Sequence, residues 1–382
     1  MDRLQILFNQ ANKELKASLV GRDAECDLLF TAMIAKKNPL LVGPPGVGKS
    51  LLVDNLAKWI SVPTFDYLLT KFTDPMELFG PIHVEKLKHG EYERVVEGFA
   101  PTAPLLFLDE IFKGSSAILN TLLKILNERI FKFGKQMIVC PLLLAVAASN
   151  EYPNSENGGQ ELGALFDRFL IRKNVMPLVG AARKKLLQRK AKGDNFEAKF
   201  SYTITPNEIK NAHTDAMALA FEGDAFDAYW QILEDLKRNG IFPGDRRVVQ
   251  SVDVARSYAY LNGSDEVTPE HLEVLSHCLW DAPEQEKKTY QVVMSVANSL
   301  TAEVLKMQED IEDCLSKAEE EYKKATDATK QQSVAITTMK KLDESIKSLR
   351  NRKETSVVLG ALEAFREAKK DWEHRMFGLE RE

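Results

Sequence analysis

Eight residues constrain this chain more than any others. Gly43-Pro44-Pro45-Gly46-Val47-Gly48-Lys49-Ser50 follows the apolar run Pro39-Leu40-Leu41-Val42 and precedes a segment, residues 51–60, whose apolar positions have helical spacing. A glycine-rich turn between a buried strand and a helix can curl so that successive backbone N–H groups converge. The following helix adds the positive end of its dipole. Such a turn takes phosphate. Lys49 is placed to reach the β- and γ-phosphates of a nucleoside triphosphate, and Ser50 to ligate Mg²⁺.

The rest of the first two-thirds has the rhythm that a buried strand and a covering helix require. Residues 62–69, 104–108, 142–148 and 169–175 read as further strands, with a helix over 117–129. Strands that are apolar nearly throughout belong to a sheet covered on both faces, hence a parallel α/β sheet. Two segments depart from this rhythm. Residues 81–84 and 92–96 flank Lys88-His89-Gly90 and read as a hairpin or strand–loop insertion. Residues 130–133 and 136–139, split by Gly134-Lys135, read as a second hairpin.

From about Gly180 the strands stop. Residues 181–192 and 206–280 read as helices, with Thr268-Pro269-Glu270 as a capped helix start. Beyond residue 283, Val293, Val296, Leu300, Val304, Met307, Ile311, Cys314, Ala318, Tyr322 and Ala325 step by threes and fours, which predicts a long amphipathic helix. Residues 326–332 interrupt it, and helices over 336–350 and 357–376 either fold back on it or form an arm for partners. The expected division is an α/β domain over 1–178, an all-α lid over 179–282 and a helical extension over 283–382.

Two further strand ends carry chemistry. Leu105-Leu106-Phe107-Leu108 runs into Asp109-Glu110, which puts two acids at the tip of a buried strand. Asp109 is placed to hold the magnesium directly or through water. Glu110 is the candidate base that orients or deprotonates the attacking water. The run 143–148 ends in Ser149-Asn150, which sets an amide at the rim of the same sheet, in reach of that water or of the γ-phosphate.

Composition excludes several classes. A hydrophobic fraction of 44% is enough for packed cores. The net charge of −5 argues against a protein whose main task is gripping nucleic acid. Cys26, Cys140, Cys278 and Cys314 form no CxxC pair, so neither a zinc site nor a disulfide framework is expected, and reduced thiols in a cytoplasmic protein are. No signal peptide is expected at the start, and the longest apolar stretch, 141–148, is too short to span a bilayer.

Together these segments resemble the AAA+ ATPases, specifically the MoxR branch and most closely its RavA-like members, over residues 10–280. Residues 43–50 look like the Walker A motif, 105–110 like Walker B, and Asn150 like sensor 1. Val20-Gly21-Arg22, Glu77-Leu78-Phe79-Gly80-Pro81, Asn127-Glu128-Arg129 and Ala147-Ala148-Ser149-Asn150-Glu151 narrow the likeness. The resemblance implies that Gly43, Pro44, Gly46, Val47, Gly48, Lys49, Ser50 and Leu51, with Val20 and Gly21, contact ATP or ADP. It implies that Arg168, in Leu165-Phe166-Asp167-Arg168-Phe169, is an arginine finger acting on a neighbouring subunit. In Gly244-Asp245-Arg246-Arg247 it implies a lid arginine that bridges to the nucleotide: Arg246 is the candidate and Arg247 the competitor. A finger acting in trans requires an oligomer, and the family implies a hexameric ring. No pore-loop aromatic–glycine signature is present, which argues against threading.

The leading expectation is therefore ATP-driven, chaperone-like remodelling of a protein complex, with a von Willebrand A-type protein as partner. The alternative is a nucleic-acid motor or loader, which would need a basic face that no Lys/Arg block supplies. A GTPase would need an Asn-Lys-x-Asp motif, which is missing.

Overall fold

The computed structural model describes residues 2–153, 163, 165–324, 327–352 and 356–377. The chain opens with α1 (Arg3–Ser18), α2 (Asp23–Ile34), β1 (Pro39–Val42), α3 (Lys49–Ile60), β2 (Thr64–Leu68), α4 (Pro75–Phe79) and α5 (Val84–Lys88). It continues through β3 (Leu105–Asp109), α6 (Ser116–Glu128), β4 (Ile130–Phe133), β5 (Gln136–Val139), β6 (Leu144–Ser149) and β7 (Ile171–Asn174). Helices follow: α7 (Gly180–Ala191), α8 (Pro206–Met217), α9 (Asp224–Arg238), α10 (Asp245–Leu261), a 3₁₀ segment (Pro269–His277), α11 (Glu286–Ala297), α12 (Ser299–Lys324), α13 (Ala328–Arg350) and α14 (Ser356–Phe377). The chain forms two compact units, Met1–Thr289 and Tyr290–Glu382.

The core of the first unit is a five-stranded parallel sheet in the order β2-β3-β6-β1-β7. β1 and β6 are buried along their whole length, as continuous apolar runs under helices on both faces should be. β2 lies at an edge, and its burial alternates residue by residue. This is the parallel α/β sheet the apolar runs predict. The hairpin expected over 130–139 is present as the antiparallel pair β4–β5, from Ile130 opposite Val139 to Phe133 opposite Gln136.

The first insertion differs from expectation. Its ends meet in one antiparallel bridge, Ile82 to Arg94, held by His83 N–H to Glu93 O and Val95 N–H to Pro81 O, both 2.8 Å. Between them the chain coils into α5 rather than a tight turn. Val84-Glu85-Lys86-Leu87-Lys88 is mostly good helix formers, and Lys86 on that turn pairs with Glu93 on the returning strand.

Helices cover the sheet and build the lid. Thr205 and Glu208 close a capping box at the start of α8, with Pro206 at its first position. The predicted start at Thr268 opens a 3₁₀ segment, not an α-helix. Phe8 of α1 meets Phe30, Trp59 and Tyr260 edge-on, so an N-terminal helix, a sheet-covering helix and a lid helix share one aromatic cluster.

The second unit has its own core. Val304, Ile311, Leu342, Ile346, Leu349, Val358, Leu362 and Phe365 bury one another between α12, α13 and α14. The long predicted helix stops at Ala297 and restarts at Ser299, because the side chain of Asn298 accepts the N–H of Thr301 at 3.0 Å and caps a new helix. The second predicted helix begins eight residues early, at Ala328 instead of 336, under the cap of Asp327. Ala325, the last of the stepped positions, lies outside the described residues.

The tightest constraint on the sheet's active edge is Gly43. A β-carbon there would lie 2.1 Å from the carbonyl oxygen of Val175. Gly43→Ala is expected to destabilise the protein by about 2 kcal/mol or more by forcing β1 away from the chain after β7. Thermal unfolding without nucleotide measures the loss, and an unchanged midpoint would count against this close approach.

Candidate active site

Strand order decides which motifs meet. β6 runs between β3 and β1, so the chain end after β6 emerges between the acids of β3 and the glycine-rich turn after β1. All three strands point the same way, and their carboxyl ends open onto one crevice, where α/β sheets bind ligands. Lys49, Asp109, Glu110 and Asn150 are brought together there.

Asn150 joins the other two motifs. Its Oδ1 accepts from Lys49 Nζ at 3.1 Å, and its Nδ2 donates to Glu110 Oε1. Lys49 Nζ also donates to the carbonyl oxygens of Gly43 and, at 3.4 Å, Pro44. Burial lowers the Lys49 pKa, while Asp109 and Glu110 pull it back up. Glu110 is buried and sits in the left-handed backbone region (φ 54°, ψ 43°). Its N–H donates to Asp109 Oδ1 at 2.9 Å, Lys113 Nζ lies 3.3 Å from Oε1, and Oε2 is buried without a partner.

The residues present fit a nucleotide with magnesium. Gly46 and Gly48 have φ of +81° and +91°, and a β-carbon at either would meet nothing within 4 Å, so the turn is open on its ligand side. The orphaned Oε2 of Glu110 is where an ordered water would find an acceptor. Burial, and then Asp54 and Asp109, raise the Asp66 pKa, so carboxylates crowd this end of the sheet where a cation would relieve them. Ser50 is exposed on the first turn of α3. Among the described residues no cluster of three acidic, His or Cys side chains forms a metal site. Magnesium would depend on Ser50, Asp109 and phosphate oxygens.

Beside the turn lies a cavity of 330 Å³. Val20, Gly46, Val47, Gly48 and Leu51, all expected at the nucleotide, line it, and Leu178, Arg183 and Leu186 from the α7 region and Phe196 from the loop after it complete the wall. Those last four carry no motif, and the sequence reading missed them. Gly21 is tucked against Leu178 instead of lining the cavity. Arg22 is buried and donates from Nη2 to the carbonyls of Val47 and Met176, both at 2.9 Å, so it pins the glycine-rich turn to the chain leaving β7.

The arginines fall into two pairs. Arg172 is fully buried: it donates to the carbonyls of Phe169, Phe166 and Trp280 and stacks 3.8 Å over the ring of Phe166. Arg247 is also buried. It donates to the carbonyls of Leu170 and Cys278 and pairs with Asp281 at 2.9 Å. These two side chains fasten the turn that carries Arg168 to the end of the 3₁₀ segment. Arg168 and Arg246 are exposed, and both line one cavity of 520 Å³. Neither lines the cavity over the phosphate loop. Arg247 lines the Arg168 cavity too but is buried with its donors on carbonyls, whereas Arg246 is exposed beside Arg168, away from the cavity at the glycine-rich turn.

Comparison with known proteins follows this geometry. The family described as the MoxR domain in the MoxR-vWA-beta-propeller ternary systems matches residues 6–214, and an AAA lid domain matches 224–293. An uncharacterized protein of Methanocaldococcus jannaschii is 35% identical over 306 residues, 80% of this chain and 78% of its own. Chaperone MoxR1 of Mycobacterium tuberculosis is 29% identical over 163 residues, 42% of each chain. The crystal structure of a candidate ATPase from Cytophaga hutchinsonii shares the fold, with a TM-score of 0.60 at 18% identity, over 77% of this chain and 95% of that one.

Two predictions follow from the side chains. Asn150→Ala is expected to lower ATP turnover about a hundredfold by freeing Glu110 and Lys49 from one another, while nucleotide affinity changes little; steady-state kinetics with equilibrium binding separates the two. Arg247→Met is expected to cost roughly 3 kcal/mol of stability through two orphaned carbonyls and an unpaired Asp281. Arg246→Met should leave the denaturation midpoint where it is, so equal losses in the two variants would refute the division of roles.

Proposed function

Because the chain belongs to the MoxR family of AAA+ ATPases, we propose that it hydrolyses ATP in a ring of its own copies and uses the energy to remodel or activate a protein complex. The observation that carries this reading is the bridge from Lys49 through Asn150 to Glu110, closed across three adjacent strands. It couples the group that holds the terminal phosphate to the group that handles the attacking water.

The backbone of residues 43–50 cradles the phosphates of ATP, and Lys49 reaches the β- and γ-oxygens. Ser50 and Asp109 hold magnesium, which when bound offsets phosphate charge in the transition state. Glu110 takes its proton from, or aligns, a water held at Oε2, and Asn150 keeps the carboxylate turned toward it. Positive charge for the γ-phosphoryl group as it passes from ADP to water comes from Arg168 and Arg246, which line a cavity other than the one at their own phosphate loop and so suit delivery to a neighbour. A hexamer is the assembly we assign.

We assign residues 1–178 to the α/β ATPase domain, 179–282 to the lid and 283–382 to a helical extension for partners. The matched family's ternary systems point to a von Willebrand A-type protein as that partner. The likeness to RavA-like members rests on motifs shared within the family, and we take the ternary systems as the guide to partners. The free cysteines fit a reducing, cytoplasmic compartment. Among the described residues no helix is long and apolar enough to cross a membrane.

Glu110→Gln is expected to retain ATP and assemble without turnover; a normal hydrolysis rate in that variant removes Glu110 as the base. Arg168→Ala is expected to lose about a thousandfold in turnover with binding kept. Mixing it with Glu110→Gln subunits should restore part of the rate, because each variant supplies the half the other lacks. No restoration in the mixture would exclude a site shared between subunits.

A further inference from the structure

Two apolar patches on the first unit are exposed among the described residues. The first is on the lid: Phe226 and Trp230 of α9 and Val249 of α10 are each more than half exposed. They border a groove of 460 Å³ whose walls include Phe221, Tyr229 and Val248. The second patch flanks the phosphate-loop cavity: Met176, Val179 and Leu187 are each more than half exposed. Leu187 belongs to α7, a twelve-residue helix in which no residue is buried. A helix that buries nothing at home gains little stability from packing.

The helices α7 and α9 beside the two patches carry opposite charge, while the α10 wall of the lid groove holds both Asp253 and Arg256. α7 carries Arg183, Lys184, Lys185, Arg189 and Lys190 and no acid. α9 carries Asp224, Asp227, Glu234 and Asp235, with basic residues only in its last turn, where Arg238 pairs with Asp235. Each patch also adjoins one half of the divided site. Val249 lies three residues beyond Arg246 on α10, next to the Arg168 cavity. Leu187 adjoins Leu186, which with Arg183 lines the phosphate-loop cavity.

We propose that the lid groove between α9 and α10 receives the α7 segment of the neighbouring copy. The proposal rests on the ring reading above and deepens it. Bringing Arg168 and Arg246 of one copy to the phosphate loop of the next sets the apolar ridge Phe226–Trp230–Val249 against Met176, Val179 and Leu187, and sets the acids of α9 against the bases of α7. The contact is head-to-tail, because the two patches differ, and such a contact repeats until a ring closes or a spiral forms. It also ties nucleotide state to assembly. α7 forms one wall of the nucleotide cavity and, in the ring, the plug of the neighbour's lid groove.

The test uses the full chain in the Glu110→Gln background with ATP and with Cys314 replaced by Ser. One population carries Trp230→Cys, the other Leu187→Cys. A short bis-maleimide is expected to join chains of different populations, and only when ATP is present. Separately, Trp230→Ala is expected to raise the concentration for half-assembly about tenfold. Asp227→Lys and Lys185→Glu should each weaken assembly, and the double variant should assemble better than either single one. If rings form and the Arg168→Ala mixture regains turnover, yet no cross-link appears and Trp230→Ala assembles normally, this interface is wrong while the ring stands. If no assembly forms under any condition, the ring reading falls and takes the interface with it. If Lys185→Glu abolishes retention of DNA but leaves assembly untouched, α7 serves nucleic acid and the proposal is overturned.

Discussion

Everything at the candidate site depends on β6 lying between β3 and β1. Hydrogen bonding between parallel strands holds neighbouring chains about 4.8 Å apart, so three motifs scattered over roughly a hundred residues are delivered to one edge with little freedom. Asn150 can then span from Lys49 to Glu110 with a single amide, one end accepting and the other donating. A different strand order would leave the same three motifs intact in sequence and useless in space.

Most of this was legible because each motif is local. A glycine-rich turn, two acids after an apolar run and an amide after another announce themselves by type and spacing, and the burial of β1, β3 and β6 follows from their composition. What was not legible was decided by packing between distant segments. Arg246 and Arg247 are adjacent in sequence but about 100° apart around α10, so one points outward and the other into a nest of carbonyls. Nothing in the tetrapeptide says which. Leu178, Arg183, Leu186 and Phe196 wall the nucleotide cavity because of where α7 and its following loop come to rest. The same holds for α5, whose five residues coil between flanks that meet in one bridge.

The two buried arginines divide labour with the two exposed ones. Arg172 donates to three backbone carbonyls, and Arg247 donates to two and pairs with Asp281, which binds the turn after residue 163 to the chain near Trp280 and Asp281. Burial and the nearness of Arg247 lower the Arg172 pKa, and Asp167 and Asp281 oppose that. The desolvation is tolerated because Arg172 meets three fixed carbonyls and the carboxylate of Asp167. Its effect is a rigid platform for Arg168 and Arg246.

Glu110 has a consequence of another kind. A non-glycine residue in the left-handed region, buried and with one oxygen lacking a partner, is held against its own backbone preference. The fold therefore carries a local weakness at the place where it does its chemistry. Glycine at this position would remove both the backbone strain and the buried oxygen without a partner. The placement of this carboxylate and the comfort of its own backbone thus pull in opposite directions at a single residue.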